Sequence, residues 1–320
     1  MTITHKKQSR ADAKAALAGF LASNLHLDAA ASIFVATQLQ EIETKLYESP
    51  KAPLKSDVLI PPIPVSRGVR ERGYDRITSR GMAKFIAGNG TDYPLVNADK
   101  RRYLTTMHDV GIGYEYTQAD LEAAAYGNVP LDATYAAAAR DGTERLIDLV
   151  WLMGSADIGA TGLFNDPNVP RGNAGVGNWA AATADQILAD LNEIARAVWV
   201  TTREHATADT LVMSPERLAL IRSLSRSTNS DTTVARFFLE NQEYIKGIES
   251  SSYLSTAGVG GTQRMVAYRR NPDTLGGPLA SRFEQLAPQY KGQSIHIPCR
   301  AVIGPLEIKA PIFIVYRDGI

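Results

Sequence analysis

Four places in this chain bring together residue types that can do chemistry. His108-Asp109 is the nearest approach to a base with its orienting carboxylate. A strand sends adjacent side chains to opposite faces, so the two form no hydrogen-bonded dyad without a bulge. Glu204-His205 lies near a predicted helix end, where a protonated histidine complements the helix dipole rather than a substrate. Gly172-Asn-Ala-Gly-Val-Gly177 and Gly258-Val-Gly-Gly261 have glycines of the kind that let backbone N–H groups approach a phosphate. The first lacks the strand before it and the third glycine or Lys-Ser/Thr after it, and the second lacks the lysine. Both read as flexible connections. There is no His-Glu-x-x-His, no clustered histidine with carboxylates and no Gly-x-Ser-x-Gly elbow. These residues predict no catalytic group, no metal and no cofactor, and a chain that is not an enzyme; a cytosolic enzyme with a cryptic site is the alternative.

The strongest charge feature is a run of arginines, Arg67, Arg70, Arg72, Arg76 and Arg80. Three readings stand for it: a solvated arm, an arm that salt-bridges the acidic surface of a neighbouring subunit, and a direct DNA contact. The whole chain carries 34 Lys plus Arg against 34 Asp plus Glu, a net charge of zero. That argues against a dedicated nucleic-acid binder, though not against a wall that merely faces DNA. Cys299 is the only cysteine, so neither an intrachain disulfide nor a thiolate cluster is available. It sits in an alternating apolar stretch and reads as a buried small hydrophobe in a reducing compartment. No apolar stretch approaches the roughly 18 residues of a membrane span, and the first ten residues lack the apolar core of a signal peptide.

The elements around these residues are mostly structural in character. Residues 9–22 predict a short helix with Ala13, Leu17, Phe20 and Leu21 as its stripe, and 33–46 a second with Leu39, Ile42 and Leu46. Such small faces need a cover, which makes Phe20 and Leu39 candidate contacts with the subunit or a neighbour. Prolines 50, 53, 61, 62 and 64 precede the arginines, and the segments 58–65 and 77–86 are expected to pair as a two-stranded arm. Residues 100–116 alternate like one long strand. Thr117-Gln-Ala-Asp120 is a capping box with Asp in place of Glu. From Leu131 to Met153 the pattern is a single helix, roughly 35 Å long. Pro130 suits its first turn and Gly154 its left-handed end. Its C-terminal half is expected to bury Leu146, Ile147, Leu149, Val150 and Met153.

Beyond a Gly-rich turn, 184–203 has the stripe Ile187, Leu188, Leu191, Ile194, Val198 and Thr202, and Thr210–Met213 reads as a buried strand. Ser214-Pro215 opens a further helix, with serine as cap and proline at its first position. Near the C-terminus, 294–303 and 306–316 are expected to form a hairpin beside the 100–116 strand.

Tyr116, Thr117, Leu121, Ala124, Ala125, Gly127, Leu131 and Asp132 before the long helix, and Gly154, Gly162, Leu163, Asn165, Pro167 and Val169 after it, form a pattern. This pattern resembles the major capsid proteins of tailed bacteriophages with the Hong Kong 97-type fold, including its encapsulin-like branch. It departs at Phe164, where an aliphatic residue is more usual, and in the basic cluster at 67–80. The resemblance extends more loosely from about residue 58 to the C-terminus. It implies an α+β fold with an N-terminal arm at 1–46, an extended loop at 47–98 and a peripheral domain at 99–178 with its spine helix at 131–153. An axial domain at 179–275 and a return to the peripheral domain at 276–320 complete it. It also implies a subunit that assembles as pentamers and hexamers into an icosahedral shell enclosing double-stranded DNA, located in the virion and assembled in the host cytoplasm. Such a shell takes a portal and, in some relatives, cement or scaffolding proteins, and contacts DNA non-specifically. The alternative within the fold is the shell of an encapsulin-type protein compartment. The stretch before residue 58 is too short for the cleaved scaffolding segment of many relatives, so a chain that is not trimmed is expected.

Overall fold

The computed structural model describes residues 51–320 apart from 87, 89–92, 128–130 and 228–230. The helices expected at 9–22 and 33–46, with Phe20 and Leu39, lie outside the described residues, as does Pro130. In chain order, α1 (Ser56–Leu59) and β1 (Pro62–Pro64) lead to a ribbon of β2 (Glu71–Arg80) and β3 (Asn97–Thr106). Then come β4 (His108–Thr117), α2 (Gln118–Gly127) and the long α3 (Leu131–Leu152). A hook holds β5 (Gly154–Ser155) and β6 (Ala160–Thr161), followed by β7 (Arg171–Asn173) and α4 (Ala184–Thr201). Next are β8 (Thr210–Met213), α5 (Pro215–Ser223), α6 (Val234–Asn241), β9 (Gly247–Ser250) and β10 (Arg264–Tyr268). The chain closes with β11 (Leu275–Gln285), β12 (Gln289–Lys291), β13 (Ser294–Ile303), β14 (Glu307–Ile308) and β15 (Ile314–Asp318). The mixture is α+β, as expected.

A six-stranded sheet is built on β13, which pairs antiparallel with β4 along its whole length, from His108 opposite Ile303 to Thr117 opposite Ser294. Strand alternation explains its faces: Tyr114 and Tyr116 on β4 point inward with Ile297 and Cys299 on β13 and pack with Ala139 of α3. Cys299 is therefore the buried hydrophobe its surroundings predict. The strand expected at 100–116 is divided at Met107. Its first half, β3, pairs with β2 in the ribbon, and its second half pairs with β13. Met107 itself is buried and donates its N–H to Arg70 O at 2.8 Å, which pins the point of divergence.

The arm's strands also differ from expectation. Residues 56–59 are helical, capped by the buried carboxylate of Asp148, which accepts from the N–H groups of Lys55 (2.8 Å) and Ser56 (2.7 Å). Pro62–Pro64 pairs in parallel with β11. The ribbon is thus 71–80 against 97–106, because 58–65 already has partners in the body of the protein.

In α3, Ala139, Thr143, Ile147, Asp148, Val150, Trp151 and Leu152 are the buried positions. Leu146 and Leu149 are not part of that core: they stay 38% and 40% exposed, while Val150 is 3% exposed and Met153 half-buried. The sheet covers the face through 139, 143, 147 and 150, which recurs at helical spacing, and Leu146 and Leu149 fall on the flank beside it. Apolar content identified the buried end of the helix but not the buried side.

The helix ends where its last carbonyls are taken by the hook. Gly154 turns the chain at φ +80°. The N–H groups of Leu163 and Phe164 then donate to Trp151 O and Leu152 O, both at 3.0 Å, and the Asn165 side-chain amide donates to Met153 O. Gly162 lies so close to the helix that a Cβ there would meet Leu152 C and O at 2.4 Å. The Gly-Leu-Phe-Asn hook is a C-terminal cap made by a returning segment.

A second sheet, in the order β7-β15-β10-β8-β9, is buried on both faces. Ile187, Leu191, Ile194 and Val198 of α4 cover one side together with α5 and α6. Val212, Val266, Tyr268, Ile314 and Tyr316 face the end of α3 and the hook. The hairpin expected from 294–303 and 306–316 does not form, because β14 pairs with β11 and β15 joins this second sheet. The predicted caps are present: Thr117 and Asp120 make a reciprocal capping box, and Ser214 accepts from Arg217 N–H. Thr183 and Gln186 make a second capping box that was not expected. The Thr117 N–H and hydroxyl hold the Asp120 carboxyl below its ordinary range. Across the second core, Arg264 and Asp318 form a bidentate pair with both side chains 4% exposed, and Arg264 also donates to Phe164 O.

Two outcomes follow. Val150→Asp prevents folding, because it buries an unpaired charge, whereas Leu149→Asp leaves the subunit folded; circular dichroism and size-exclusion chromatography of the two variants separate them. Arg264→Ala costs about 3–5 kcal/mol by leaving the Asp318 carboxylate uncompensated, read as a large fall in the denaturation midpoint.

Candidate assembly surfaces

The ribbon is the one large feature of the described chain with no layer packed beneath it: most residues of β2 and β3 are exposed. A two-stranded ribbon alone is marginal in water. Its register runs from Glu71 opposite Thr106 to Arg80 opposite Asn97 and separates two faces of different chemistry. One face holds Asp75 with Lys100 and Arg102. Arg102 Nε and Nη2 donate to the two Asp75 oxygens at 2.7 and 3.1 Å, and Lys100 Nζ lies 2.7 Å from Oδ2. These hydrogen bonds, from Arg102 first and Lys100 second, hold the Asp75 carboxyl far below the usual carboxylate range.

The other face carries Arg72, Arg76 and Arg80 on β2 and Arg101 on β3, around the stacked rings of Tyr74 and Tyr103, whose centroids are 5.2 Å apart. Arg76, Thr78, Arg80, Asn97, Arg101 and Tyr103 help line a groove of about 540 Å³ there. Spacing by four places three of the predicted arginines on a single strand face. The other two lie outside the ribbon. Arg67 Nη1 donates to Glu284 at 3.3 Å, while Arg70 is exposed at the ribbon's root.

At that root Arg72 donates to Glu307, whose side chain is 1% exposed and whose Oε1 has no hydrogen-bond partner among the described residues. Burial, with Glu307 nearby, raises the Tyr74 hydroxyl above its ordinary pKa. Sequence reasoning missed Glu307, and nothing local marks it. It also missed the tip, where Met82, Phe85, Tyr93, Leu95 and Val96 are all exposed. The hydrophobic density of 82–96 was the available signal.

No constellation for chemistry competes with this surface. Among the described residues no group of three or more His, Cys, Asp or Glu is placed to hold a metal, and no helix is long and apolar enough to cross a membrane. Asp109 is held by Arg300 at 2.7 Å, on the opposite strand face from His108. His205 stacks on Phe313 at 5.7 Å. The Gly-rich turn is not a loose connection, since Asp190 accepts from Gly175 N–H (3.0 Å), Val176 N–H (3.3 Å) and Trp179 Nε1–H (2.8 Å). An internal carboxylate thus fills the position an anion would take.

Residues 81–320 match the sequence profile of the family described as major capsid protein. The chain belongs to that family. Its fold is that of tailed-phage capsid subunits. The structure titled "The capsid of Myoviridae Phage XM1" superposes with a TM-score of 0.80 at 16% identity, over 89% of this chain and 98% of that one. Mycobacterium phage Ogopogo matches at 0.62 and 11% identity over the same shares. A virus-like particle from Pyrococcus furiosus matches more loosely, at 0.50 and 13% identity over 82% of this chain and 91% of that one. No curated protein matches the sequence.

For the ribbon's root, Glu307→Ala removes a charged hydrogen bond of about 1.5–3 kcal/mol. Amide exchange of 69–73 and 104–107 therefore speeds up by about tenfold or more, measured by hydrogen-exchange mass spectrometry; unchanged exchange means that Arg72 and Glu307 do not hold the arm.

Proposed function

We propose that this chain is the shell-forming subunit of a tailed-phage head, assembling as pentamers and hexamers into an icosahedral capsid around double-stranded DNA. The observation that carries the reading is the agreement of nearly the whole fold with a phage capsid subunit, at a TM-score of 0.80. In this reading the block 179–275 is the axial domain at the centre of each capsomer, and the region 107–178 with α3 is the peripheral domain and spine, residues 99–106 going with the ribbon instead. The ribbon is the extended loop that reaches a neighbour. Leu146 and Leu149, exposed on the flank of α3, are contact residues of the assembled shell rather than core. The arginines at 67–80, with Phe20 and Leu39, belong to the same set of intersubunit contacts. Many weak contacts become cooperative in a closed shell, so each one can be modest. A chain of zero net charge releases few counterions on touching DNA and holds it loosely. A portal, with cement or scaffolding proteins, completes the particle, in a virion assembled in the host cytoplasm. The encapsulin-type reading stands second, supported by the looser match to the archaeal particle.

Electron microscopy of the expressed protein and of particles from infected cells tests this. DNA-filled heads with a portal support it; small closed shells holding protein cargo favour the second reading, and a lasting monomer overturns both. Two further results are expected. Removing residues 71–106 leaves a folded, soluble core that forms no shells, because Arg70 and Met107 are already hydrogen-bonded neighbours at 2.8 Å and the cut ends can be joined by a short turn. Particles of normal yield from that variant overturn the role of the arm. Purified subunits bind duplex DNA weakly and without sequence preference at physiological salt; tight binding to one sequence, measured by fluorescence anisotropy, overturns the loose-wall reading.

A further inference from the structure

We infer that the arginine face of the ribbon docks on the acidic end of β4 and the start of α2 in a second copy of this chain. The inference rests on the self-assembly reading above. Its first support is an internal charge asymmetry. Residues 66–106 hold nine Lys or Arg and four Asp or Glu, a net +5, so the rest of this neutral chain carries −5. Two copies are therefore complementary, arm to body, although each is neutral overall.

The register adds a second support. Arg76 lies directly opposite Arg101, a like-charge cross-strand pair that destabilises an isolated ribbon. Arg101 has Asp99 at 3.2 Å, while neither Arg76 nor Arg80 has a carboxylate partner among the described residues. An incoming carboxylate relieves both the repulsion and the vacancy, and the groove beside Tyr103 gives it a place.

The sequence also locates the counterpart. Residues 103–139 contain Asp109, Glu115, Asp120, Glu122 and Asp132 and not one Lys or Arg. Asp109 is occupied by Arg300 and Asp120 by the Thr117 cap. Glu115 and Glu122 remain exposed, and among the described residues only the neutral Gln118 amide donates to Glu122. The ribbon leaves β4 at its first residue and this patch lies at its last, roughly 30 Å away along the strand, which favours the patch of another copy. Two different surfaces that fit head to tail are what a rotational ring needs.

The experiment reverses charge on each side. Arg76→Glu with Arg80→Glu and Arg101→Glu, and separately Glu115→Lys with Glu122→Lys, each lower the yield of closed particles by roughly tenfold or more, as expected for like charges brought together. Combining the two sets restores it. Sedimentation and electron microscopy read the yield, and circular dichroism confirms folded subunits. Normal yield from the arginine variant, or a loss that the combined variant fails to restore, overturns the docking. Particles of normal yield that lose DNA instead assign the face to nucleic acid and also overturn it. If the unaltered chain forms no shells under the same conditions, the self-assembly reading itself has failed.

Discussion

A buried helix end must find partners for its last carbonyls, and in this protein that requirement organises both halves of the fold. The end of α3 is buried, with Trp151 and Leu152 fully covered, so the hook returns Leu163, Phe164 and Asn165 to cap it. Those capping residues are themselves held from the other sheet. Tyr316 donates to Leu163 O at 2.6 Å and Arg264 donates to Phe164 O, while Asp318 neutralises Arg264. One chain of hydrogen bonds thus runs from the long helix through the hook to β10 and β15. Burying an ion pair there adds little net stability, but it leaves few alternative ways to seat the sheet on the helix.

The ribbon obeys the opposite logic. It buries little, and its order comes from ion pairs around Asp75, a tyrosine stack and the Arg72–Glu307 contact at its root. Exposed ion pairs contribute little each and weaken with salt. A device built this way is stiff enough to be presented and soft enough to adapt when it meets a neighbour. The apolar tip and the basic face are features a monomer has no use for, which is consistent with a subunit whose final structure is completed by other copies.

Local signals were read correctly wherever the physics is local. The capping box at Thr117, the Ser214-Pro215 start and the extent of α3 depend on hydrogen bonds spanning only a few residues, and all were read from residue types and spacing. The Thr183–Gln186 box has the same local pattern and was overlooked. The fold family was legible for the same reason, since the Gly-Leu-Phe-Asn-Asp-Pro hook is a contiguous backbone solution to a helix end. The arginines at 72, 76 and 80 were legible as one surface, although their pairing strand was misplaced.

What the sequence determined alone was therefore the set of elements, their caps and the charge carried by each segment, because backbone geometry and side-chain period act over short stretches. The tertiary structure decided which side of α3 is covered, leaving Leu146 and Leu149 outside, since that depends on where the sheet lies and not on how apolar the helix is. It decided that β15 leaves the first sheet for the second, and that Arg264 and Asp318 meet. It also decided that Glu307, in a segment expected only as half of a hairpin, is the buried anchor of the arm. Partners distant in sequence leave no periodic trace in either segment, so only the packed chain reveals them.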